Sequence, residues 1–190
     1  RVRLMRADKQ SGVAWASKRV GRPVKWTCER SEGHLADDQG RDMVLDLELG
    51  LDKEGRFEGI RLTSNNNIGA YMTMIGFTST NGITHAGVGV YKTPVVQGRA
   101  SAVMTNTVPV SNYRAPGGAP GTYALERIID MAARTLKLEP AEIRRRNLIP
   151  PGAMPYKLPT GGGYDCGEFE AVLDKCLAKA DYAGVAARKA

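Results

Sequence analysis

The chain is poor in cysteine and histidine, with three of the first and two of the second among 190 residues. Cys28, Cys166 and Cys176 show no Cys-x-x-Cys spacing, whereas a structural zinc site or an iron–sulfur cluster needs several closely placed thiolates. We therefore predict no metal ligands. An odd number of widely spaced cysteines indicates reduced thiols and a cytoplasmic protein. We interpret His34 and His85 as structural residues.

Long apolar runs are also missing. No segment approaches the roughly 20 residues that a helix needs to cross a bilayer, so we expect no membrane partner. The basic residues 1–6 are not followed by the apolar stretch of a signal peptide. The chain has no initiator methionine, and we expect an internal piece of a longer protein. Hydrophobic residues at 42% and charged residues at 25% are typical of a globular domain with a buried core.

Aromatic residues are few, at 6%, while the formal net charge is +7. A basic chain can bind nucleic acid, an anionic cofactor or another subunit. Phe and Trp are not interleaved with the basic residues, as a platform for stacking bases would require, so we regard nucleic acid as an unlikely partner. The one basic run, Arg144–Arg146, is interpreted as a solvated or subunit-facing helix surface.

The hydrophobic pattern predicts strands first and helices later. Met43–Leu51 alternates apolar and polar residues and Phe57–Thr63 returns after a turn, which predicts an antiparallel hairpin. A bulge or turn with positive φ is predicted within residues 65–71. Further strands are predicted at Val24–Cys28 and Gln97–Thr105. The helical periodicity and the capping signals predict helices at Val13–Val20, Ser31–Leu35, Tyr123–Leu136, Glu139–Leu148 and Phe169–Ala180.

Antiparallel strands followed by clustered amphipathic helices indicate the α+β class. We predict that residues 1–190 form part of one larger domain, with a strand-rich region at 22–110, a loop at 111–121 and a helical region at 122–182. Tyr123, Leu125, Ile128 and Ile129 are predicted to face the core.

The loop carries the strongest chemical signal. Residues 112–121 read Asn-Tyr-Arg-Ala-Pro-Gly-Gly-Ala-Pro-Gly and lead directly into a predicted helix. Glycines let a backbone approach a ligand and turn its N–H groups inward. A helix N-terminus adds a partial positive charge and unpaired donors. The pattern predicts an anion-binding loop with Arg114 at its entrance, and a plain connecting loop is the alternative.

Ordered blocks along the chain identify a family. They are Gly21-Arg22-Pro23-Val24-Lys25-Trp26, Gly69-Ala70-Tyr71, Thr105-Asn106-Thr107, Tyr113-Arg114, Tyr123-Ala124-Leu125-Glu126-Arg127, Leu138–Ile149, Pro155-Tyr156 and Tyr164-Asp165. From about residue 13 to residue 182, the sequence resembles the molybdopterin-binding large subunit of the molybdenum hydroxylases. That family comprises the xanthine dehydrogenases, aldehyde oxidases and aerobic carbon monoxide dehydrogenases.

The resemblance implies a molybdenum-dependent oxidoreductase. It implies a molybdenum ion held by molybdopterin, often as molybdopterin cytosine dinucleotide, and hydroxylation of a small-molecule substrate with oxygen from water. It also implies electron transfer to iron–sulfur and FAD partners, in a dimer of heterotrimers. By the match to the family, Arg114 would shape the molybdenum pocket. The residues expected to bind the cofactor are Tyr113, Arg114, Ala115, Pro116, Gly117 and Gly118, with the two glycines letting the backbone pass the cofactor.

Several departures from the family narrow the expected reaction. Ala115 stands where the carbon monoxide branch has Cys, and Pro116 stands where the xanthine branch has Phe. We therefore expect oxidation of an aldehyde or an N-heterocycle, such as isoquinoline, rather than carbon monoxide or a purine. Ala119-Pro120 replaces the usual Pro followed by Gln or Glu, so a polar contact near the metal is not expected.

Two family features are not found in the chain. Residues 1–12 contain no Gly-Gly-x-Phe-Gly segment, and the glutamate that acts as base lies far downstream in the family. Glu126 and Asp130 are interpreted as surface or capping residues, so no catalytic residue is assigned. We expect the isolated chain to be inactive and to hold no cofactor stably. The alternative hypotheses are a non-enzymatic basic module that binds nucleotide phosphates or nucleic acid, and an assembly fragment that binds only protein.

Overall fold

The computed structural model describes residues 7–73 and 75–189. The basic segment at residues 1–6 and the side chain of His85 lie outside the described part, so the interpretations of both remain predictions. The described residues form helices α1 (Ala7–Val20), α2 (Arg30–Ala36), α3 (Thr78–Ala86), α4 (Gly118–Leu136), α5 (Pro140–Asn147), α6 (Phe169–Lys179) and α7 (Val185–Lys189), and strands β1 (Met43–Leu51), β2 (Phe57–Gly69), β3 (Val95–Met104), β4 (Tyr156–Lys157) and β5 (Gly163–Tyr164). Short 3-10 turns lie at Pro151–Ala153 and Tyr182–Gly184.

The first three strands form one sheet with β2 in the centre. β1 and β2 make the predicted antiparallel hairpin, and Leu47 lies opposite Leu62. β3 runs parallel to β2, with Gly98 opposite Leu62, so the sheet is mixed and the prediction of antiparallel strands is wrong for β3. A parallel pair needs a crossover connection, and α3, which the sequence pattern did not predict, lies in that connection.

β2 extends beyond its predicted end at Thr63, through the asparagine-rich segment. Asn66 is buried, and its Nδ2 donates to Ser64 Oγ at 3.0 Å and to the carbonyl of Ser101 at 3.1 Å. The predicted positive φ occurs at Gly69, where φ is +78° and the pairing with β3 shifts register. A side chain at Gly69 would meet the carbonyl oxygen of Val108, because the next strand connection passes directly over it.

The core lies between the sheet and the two helices α4 and α5. Leu125 and Ile129 on α4 are buried, as predicted, and Ile143 on α5 is buried against them. Tyr123 is 71% exposed, so its predicted core position is wrong. The reason is helical phase, because two residues along a helix correspond to about 200° around it and place Tyr123 and Leu125 on opposite sides. Ile128 is half-buried.

The remaining boundaries differ from the predictions in smaller ways. Residues 24–28 form irregular chain rather than a strand. α4 begins at Gly118, inside the predicted loop 111–121. Residues 155–164 contain the two-residue pairing of β4 with β5. No helix in the described ranges is both long enough and apolar enough to cross a membrane. The α+β class is confirmed.

Candidate functional site

The start of the predicted loop is fixed to the sheet by backbone hydrogen bonds. The N–H of Gln39 donates to the carbonyl of Pro109 at 3.0 Å, and the carbonyl of Gln39 accepts from the N–H of Ser111 at 2.8 Å. On the other side, the N–H of Val110 donates to the carbonyl of Ile68 at 3.2 Å. Val110 and Ser111 are both buried. Residues 109–111 therefore form a rigid base for the turn that follows.

A cluster of polar side chains supports the same region. Asn67 Oδ1 accepts from Thr105 Oγ1 and from the N–H of Gly69, each at 2.7 Å. Asn67 Nδ2 donates to Asp42 Oδ2 at 2.8 Å and to Thr107 Oγ1 at 2.9 Å. One asparagine thus connects the end of β2 with the start of β1 and with the connection after β3.

Two asparagines near the loops have different surroundings. Asn147 Nδ2 donates to the carbonyl of Gly55 at 2.8 Å, and its Oδ1 accepts from the N–H of Phe57 at 2.8 Å. Asn147 therefore braces the turn between β1 and β2. Asn106, in contrast, is exposed at the surface.

The other end of the loop packs on the backbone of α3. Gly117 has a φ of +73°, and a Cβ there would lie 2.6 Å from the backbone of Gly82 and Ile83. A Cβ at Gly82 would lie 2.6 Å from the carbonyl oxygen of Pro116. The contact with α3 therefore requires glycine at 117 on its own account, and the role of Gly117 beside the cofactor remains a prediction. Gly118 is less confined, since its nearest neighbour would be Ala115 Cβ at 3.7 Å.

Between these anchors, residues 113–115 form an exposed turn. Tyr113 is 68% exposed, and Arg114 and Ala115 are also exposed, whereas Pro116 is half-buried. Ala115 has a φ of +57°, a conformation that residues other than glycine rarely adopt. The structure therefore presents the first three predicted binding residues at the surface.

The N-terminus of α4 follows this turn directly. The helix has 19 residues, no acidic residue in its first turn and, within the described chain, no side chain capping its start. A helix N-terminus carries a partial positive charge of about half an elementary charge. With Arg114 beside it, the local electrostatics favour an anionic ligand.

Arg41 is a site residue that the sequence analysis missed. Its Nη2 donates to the backbone carbonyl of Arg114, and its guanidinium lies 4.9 Å from the ring centroid of Tyr113. Arg41 precedes β1, far from the loop along the sequence. No local pattern connects the two, and long-range backbone bonds such as those of Gln39 with Pro109 and Ser111 bring them together.

Comparison with known proteins decides the family. Residues 6–148 match the molybdopterin cofactor-binding domain family. The chain belongs to this family. The resemblance to the molybdenum hydroxylases is therefore confirmed, and the chain contributes to a molybdopterin-binding domain.

The relatives of this molybdopterin-binding chain are much longer proteins. It is 38% identical over 144 residues to subunit gamma of the 6-hydroxypseudooxynicotine dehydrogenase complex of Paenarthrobacter nicotinovorans, covering 76% of this chain and 18% of that protein. It is 33% identical over 172 residues to the nicotine 6-hydroxylase large subunit of the same bacterium, covering 88% and 21%. The solved structure of quinoline 2-oxidoreductase from Pseudomonas putida 86 is similar, with a TM-score of 0.86, 31% identity and coverage of 95% and 23%. The chain thus spans about a fifth of each relative.

In this molybdopterin-binding chain, the arginine run serves the fold. Arg144 is only 18% exposed and forms ion pairs with Glu126 at 2.8 Å and Asp130 at 2.9 Å, both on α4. The expectation that this residue faces solvent or a subunit is therefore wrong, and the two carboxylates are its partners. The other two arginines of the run bond Glu170, Asp174 and Glu142.

These ion pairs also bear on the alternative hypothesis. The three consecutive arginines are engaged with carboxylates, so the basic module that would bind nucleotide phosphates or nucleic acid through them is not supported. The family match supports the enzyme-subunit hypothesis instead.

Tyr91 extends the Arg144 network into the core. Its hydroxyl donates to Glu126 Oε1 at 2.8 Å, and its ring packs edge-on against Phe57. Burial and the adjacent carboxylate of Glu126 raise the pKa of Tyr91 far above its usual value. Tyr91 therefore stays protonated as a hydrogen-bond donor, and we assign it to the structural framework.

A cavity of about 490 Å³ lies beside α2 and is lined by residues that include Glu29, Arg30, His34 and Gln39. Over residues 7–73 and 75–189, no group of three or more His, Cys, Asp or Glu side chains is arranged to hold a metal ion. Cys166 and Cys176 are exposed free thiols.

Proposed function

We propose that the chain forms one wall of the cofactor site in the large subunit of a molybdenum-dependent oxidoreductase. The observation that carries this proposal is the exposed turn at residues 113–115, held between the sheet and the uncapped start of α4, in a chain of the molybdopterin-binding family. The subunit hydroxylates a small substrate with oxygen from water and passes electrons to iron–sulfur and FAD partners. We assign no catalytic base among the described residues.

The residues present fit an anionic cofactor. Arg114 is exposed and lies four residues before a helix that carries no carboxylate in its first turn. A charge-assisted hydrogen bond from a guanidinium is about twice as strong as one between neutral groups. We assign binding to Tyr113, Arg114, Ala115, Pro116, Gly117 and Gly118, and Gly117 also fixes the loop on α3. When bound, the cofactor supplies the redox chemistry of molybdenum.

We propose an N-heterocyclic aromatic compound as substrate. Ala115 and Pro116 present small apolar surfaces next to Arg114, without the thiol or the phenyl ring expected for carbon monoxide or purine oxidation. Relatives named for nicotine and quinoline support this class. An aldehyde is the competing substrate class, and substrate assays distinguish the two.

Three finer proposals complete the assignment. The pterin is carried as molybdopterin cytosine dinucleotide, the enzyme is a dimer of heterotrimers, and it works in the cytoplasm. The printed names of two relatives, a gamma subunit and a large subunit, support a complex of several subunits.

The test is to produce the full-length subunit with its partner subunits in a host that makes the cofactor, and to measure bound molybdenum and pterin. Arg114→Ala should lower pterin affinity about tenfold, which corresponds to the loss of about 1.4 kcal/mol of binding free energy. The control is Arg61→Ala, because Arg61 lies on the sheet and pairs with the exposed Glu48. The proposal fails if the unaltered complex contains no molybdenum, or if Arg114→Ala binds the pterin as tightly as the control Arg61→Ala.

A further inference from the structure

The backbone at Arg41 is held on both sides. Gln39, two residues before it, is hydrogen-bonded to Pro109 and Ser111. Asp42, the next residue, accepts from the N–H of Asn67 at 2.9 Å through its carbonyl and from Asn67 Nδ2 at 2.8 Å through its side chain. Arg41 itself has a φ of +62°, which is unfavourable for a residue with a Cβ. The neighbouring bonds hold this conformation and direct the side chain toward the loop.

The side chain of Arg41 contacts two consecutive residues of the exposed turn. Its Nη2 donates to the carbonyl of Arg114, and its guanidinium stacks over the ring of Tyr113 with the carbon 4.9 Å from the centroid. The preceding residue adds close packing, since a Cβ at Gly40 would lie 3.4 Å from Tyr113 Cβ. Arginine suits this position because a planar guanidinium can stack on a ring and donate in its plane at once.

This hydrogen bond sets the orientation of a whole peptide group. The peptide unit is planar and trans, so the carbonyl of Arg114 and the N–H of Ala115 point in opposite directions. When Arg41 holds that carbonyl, the N–H of Ala115 must point away from Arg41. The left-handed conformation of Ala115, at a φ of +57°, belongs to the same turn and is unfavourable without such support.

One donor of Arg41 is left without a partner. Its Nε is buried and, within the described part of the chain, meets no hydrogen-bond acceptor. A buried donor without a partner lowers the stability of the folded chain. A need to satisfy hydrogen bonds within the fold therefore does not explain why Arg41 lies at this position. The two contacts that Arg41 does make both belong to the turn at residues 113–115.

We propose that Arg41 is a positioning residue that holds the Tyr113–Ala115 turn in the conformation that binds the anionic cofactor. This inference rests on the proposed function, because it assumes that the turn faces that cofactor. Arg41 acts through Arg114 and Tyr113 and is not assigned a contact with the cofactor.

The experiment uses the full-length subunit in its complex, with Arg41→Ala, Arg41→Lys and the control Arg61→Ala. Pterin release from the purified complex is followed by fluorescence after oxidation, at a temperature below the thermal midpoint of every variant. We expect Arg41→Ala to release pterin about tenfold faster than the unaltered complex, as loss of a supporting contact around a ligand typically does. Arg41→Lys should release pterin more slowly than Arg41→Ala, and Arg61→Ala should release it at the rate of the unaltered complex.

A second measurement separates positioning from general stability. The electron paramagnetic resonance spectrum of Mo(V) reports the surroundings of the metal only in loaded molecules. A merely structural role would lower the loaded fraction and leave that spectrum unchanged. We expect an altered spectrum in Arg41→Ala and a spectrum closer to that of the unaltered complex in Arg41→Lys. If Arg41→Ala does not assemble, Arg41→Lys alone should still release pterin faster than the unaltered complex and show an altered spectrum.

The outcomes distinguish this inference from the proposed function. If Arg114→Ala loses pterin while Arg41→Ala keeps both its release rate and its spectrum, the role of Arg41 is overturned and the proposed function stands. If neither variant differs from Arg61→Ala, the loop is not the cofactor wall and both proposals are rejected.

Discussion

Two arginines of this chain, Arg144 and Arg114, differ in burial and in their partners. Arg144 is largely buried and satisfies two carboxylates of α4, and it also donates from Nη1 to the carbonyl of Pro140 at 2.8 Å. Arg114, in contrast, is exposed at the turn. Burying a guanidinium is costly unless it is paired, so Arg144 is a structural residue. Because Arg114 is exposed and lies just before α4, it is available to bind a ligand.

The first prediction concerns this buried pairing. Replacing Arg144 by Ala leaves Glu126 and Asp130 without their partner, so we expect a loss of about 2–4 kcal/mol in the free energy of unfolding. Arg61→Ala is the control and should cost less than about 1 kcal/mol, because Arg61 pairs with one exposed carboxylate. Urea unfolding followed by circular dichroism measures both. Equal losses in the two variants would contradict the structural role of Arg144.

The second prediction concerns pH and Tyr91. Its pKa in the folded state is raised, chiefly by burial and then by Glu126. A raised folded pKa gives stability that is complete below the unfolded pKa of about 10 and is lost as the pH rises above it. Tyr91→Phe should therefore cost about 1 kcal/mol near neutral pH through the lost hydrogen bond and flatten the alkaline decline.

The measurement is the unfolding free energy between neutral pH and the highest pH at which the chain remains folded. Burial also raises the pKa of Tyr164, and a hydrogen bond to Glu139 raises the pKa of Tyr182, so part of the decline should remain in the variant. If the unfolding free energies of the unaltered chain and of Tyr91→Phe fall in parallel as the pH rises, Tyr91 does not contribute to the alkaline loss of stability.

At the scale of elements, the site depends on how closely α3 meets the loop. The backbone at Gly82 in α3 touches Pro116 and Gly117, and it leaves no space for a side chain at either glycine. The loop base is fixed separately, through Gln39 and Ile68. The turn thus lies between two rigid supports, which limits the conformations it can adopt.

The third prediction tests this contact with a matched pair of adjacent glycines. In Gly117→Ala the new Cβ would overlap backbone atoms of α3 and strain a positive φ, so we expect a loss of about 2–4 kcal/mol. Gly118→Ala should be neutral or stabilise by up to about 1 kcal/mol, since alanine favours helix and the site has space. Thermal and urea unfolding would detect the difference, and similar stabilities would argue against the close approach.

At the scale of the whole molecule, the chain has its own core and spans about a fifth of its relatives. Leu125, Ile129, Ile143 and Ile149 are fully buried among the described residues. The relatives extend well beyond the matched region, since the chain covers about a fifth of their length.

The fourth prediction is that the isolated 190-residue chain unfolds cooperatively and is catalytically silent. The core should give a single transition in urea. We expect no turnover and no stable pterin binding, because we propose that residues 113–118 supply only one wall of the cofactor site. Far-ultraviolet circular dichroism suits the first measurement, because Trp15 and Trp26 are both exposed and report little on the core. Oxidation of a heterocycle by the isolated chain would contradict the second expectation.

The sequence alone determined the hairpin of β1 and β2, the helices α4, α5 and α6, and the location of the loop that we propose to bind the cofactor. Each is a local signal: alternation over Met43–Leu51, a helical stripe at Leu125 and Ile129, and a glycine-rich segment before a helix. Motifs along the chain also determined the family, because their order and spacing can be read directly from the sequence.

Only the tertiary structure decided the parallel pairing of β3, the exposure of Tyr123 and the role of Arg41. Strand direction depends on a crossover whose helix, α3, lies in a segment rich in Gly and Thr with no clear periodicity. The contact of Arg41 with Arg114 joins residues that are 73 positions apart. Side-chain chemistry along the chain marks which residues can bind an anion, but the long-range backbone pairing of Gln39 with Ser111 determines which residue holds the binding turn in place.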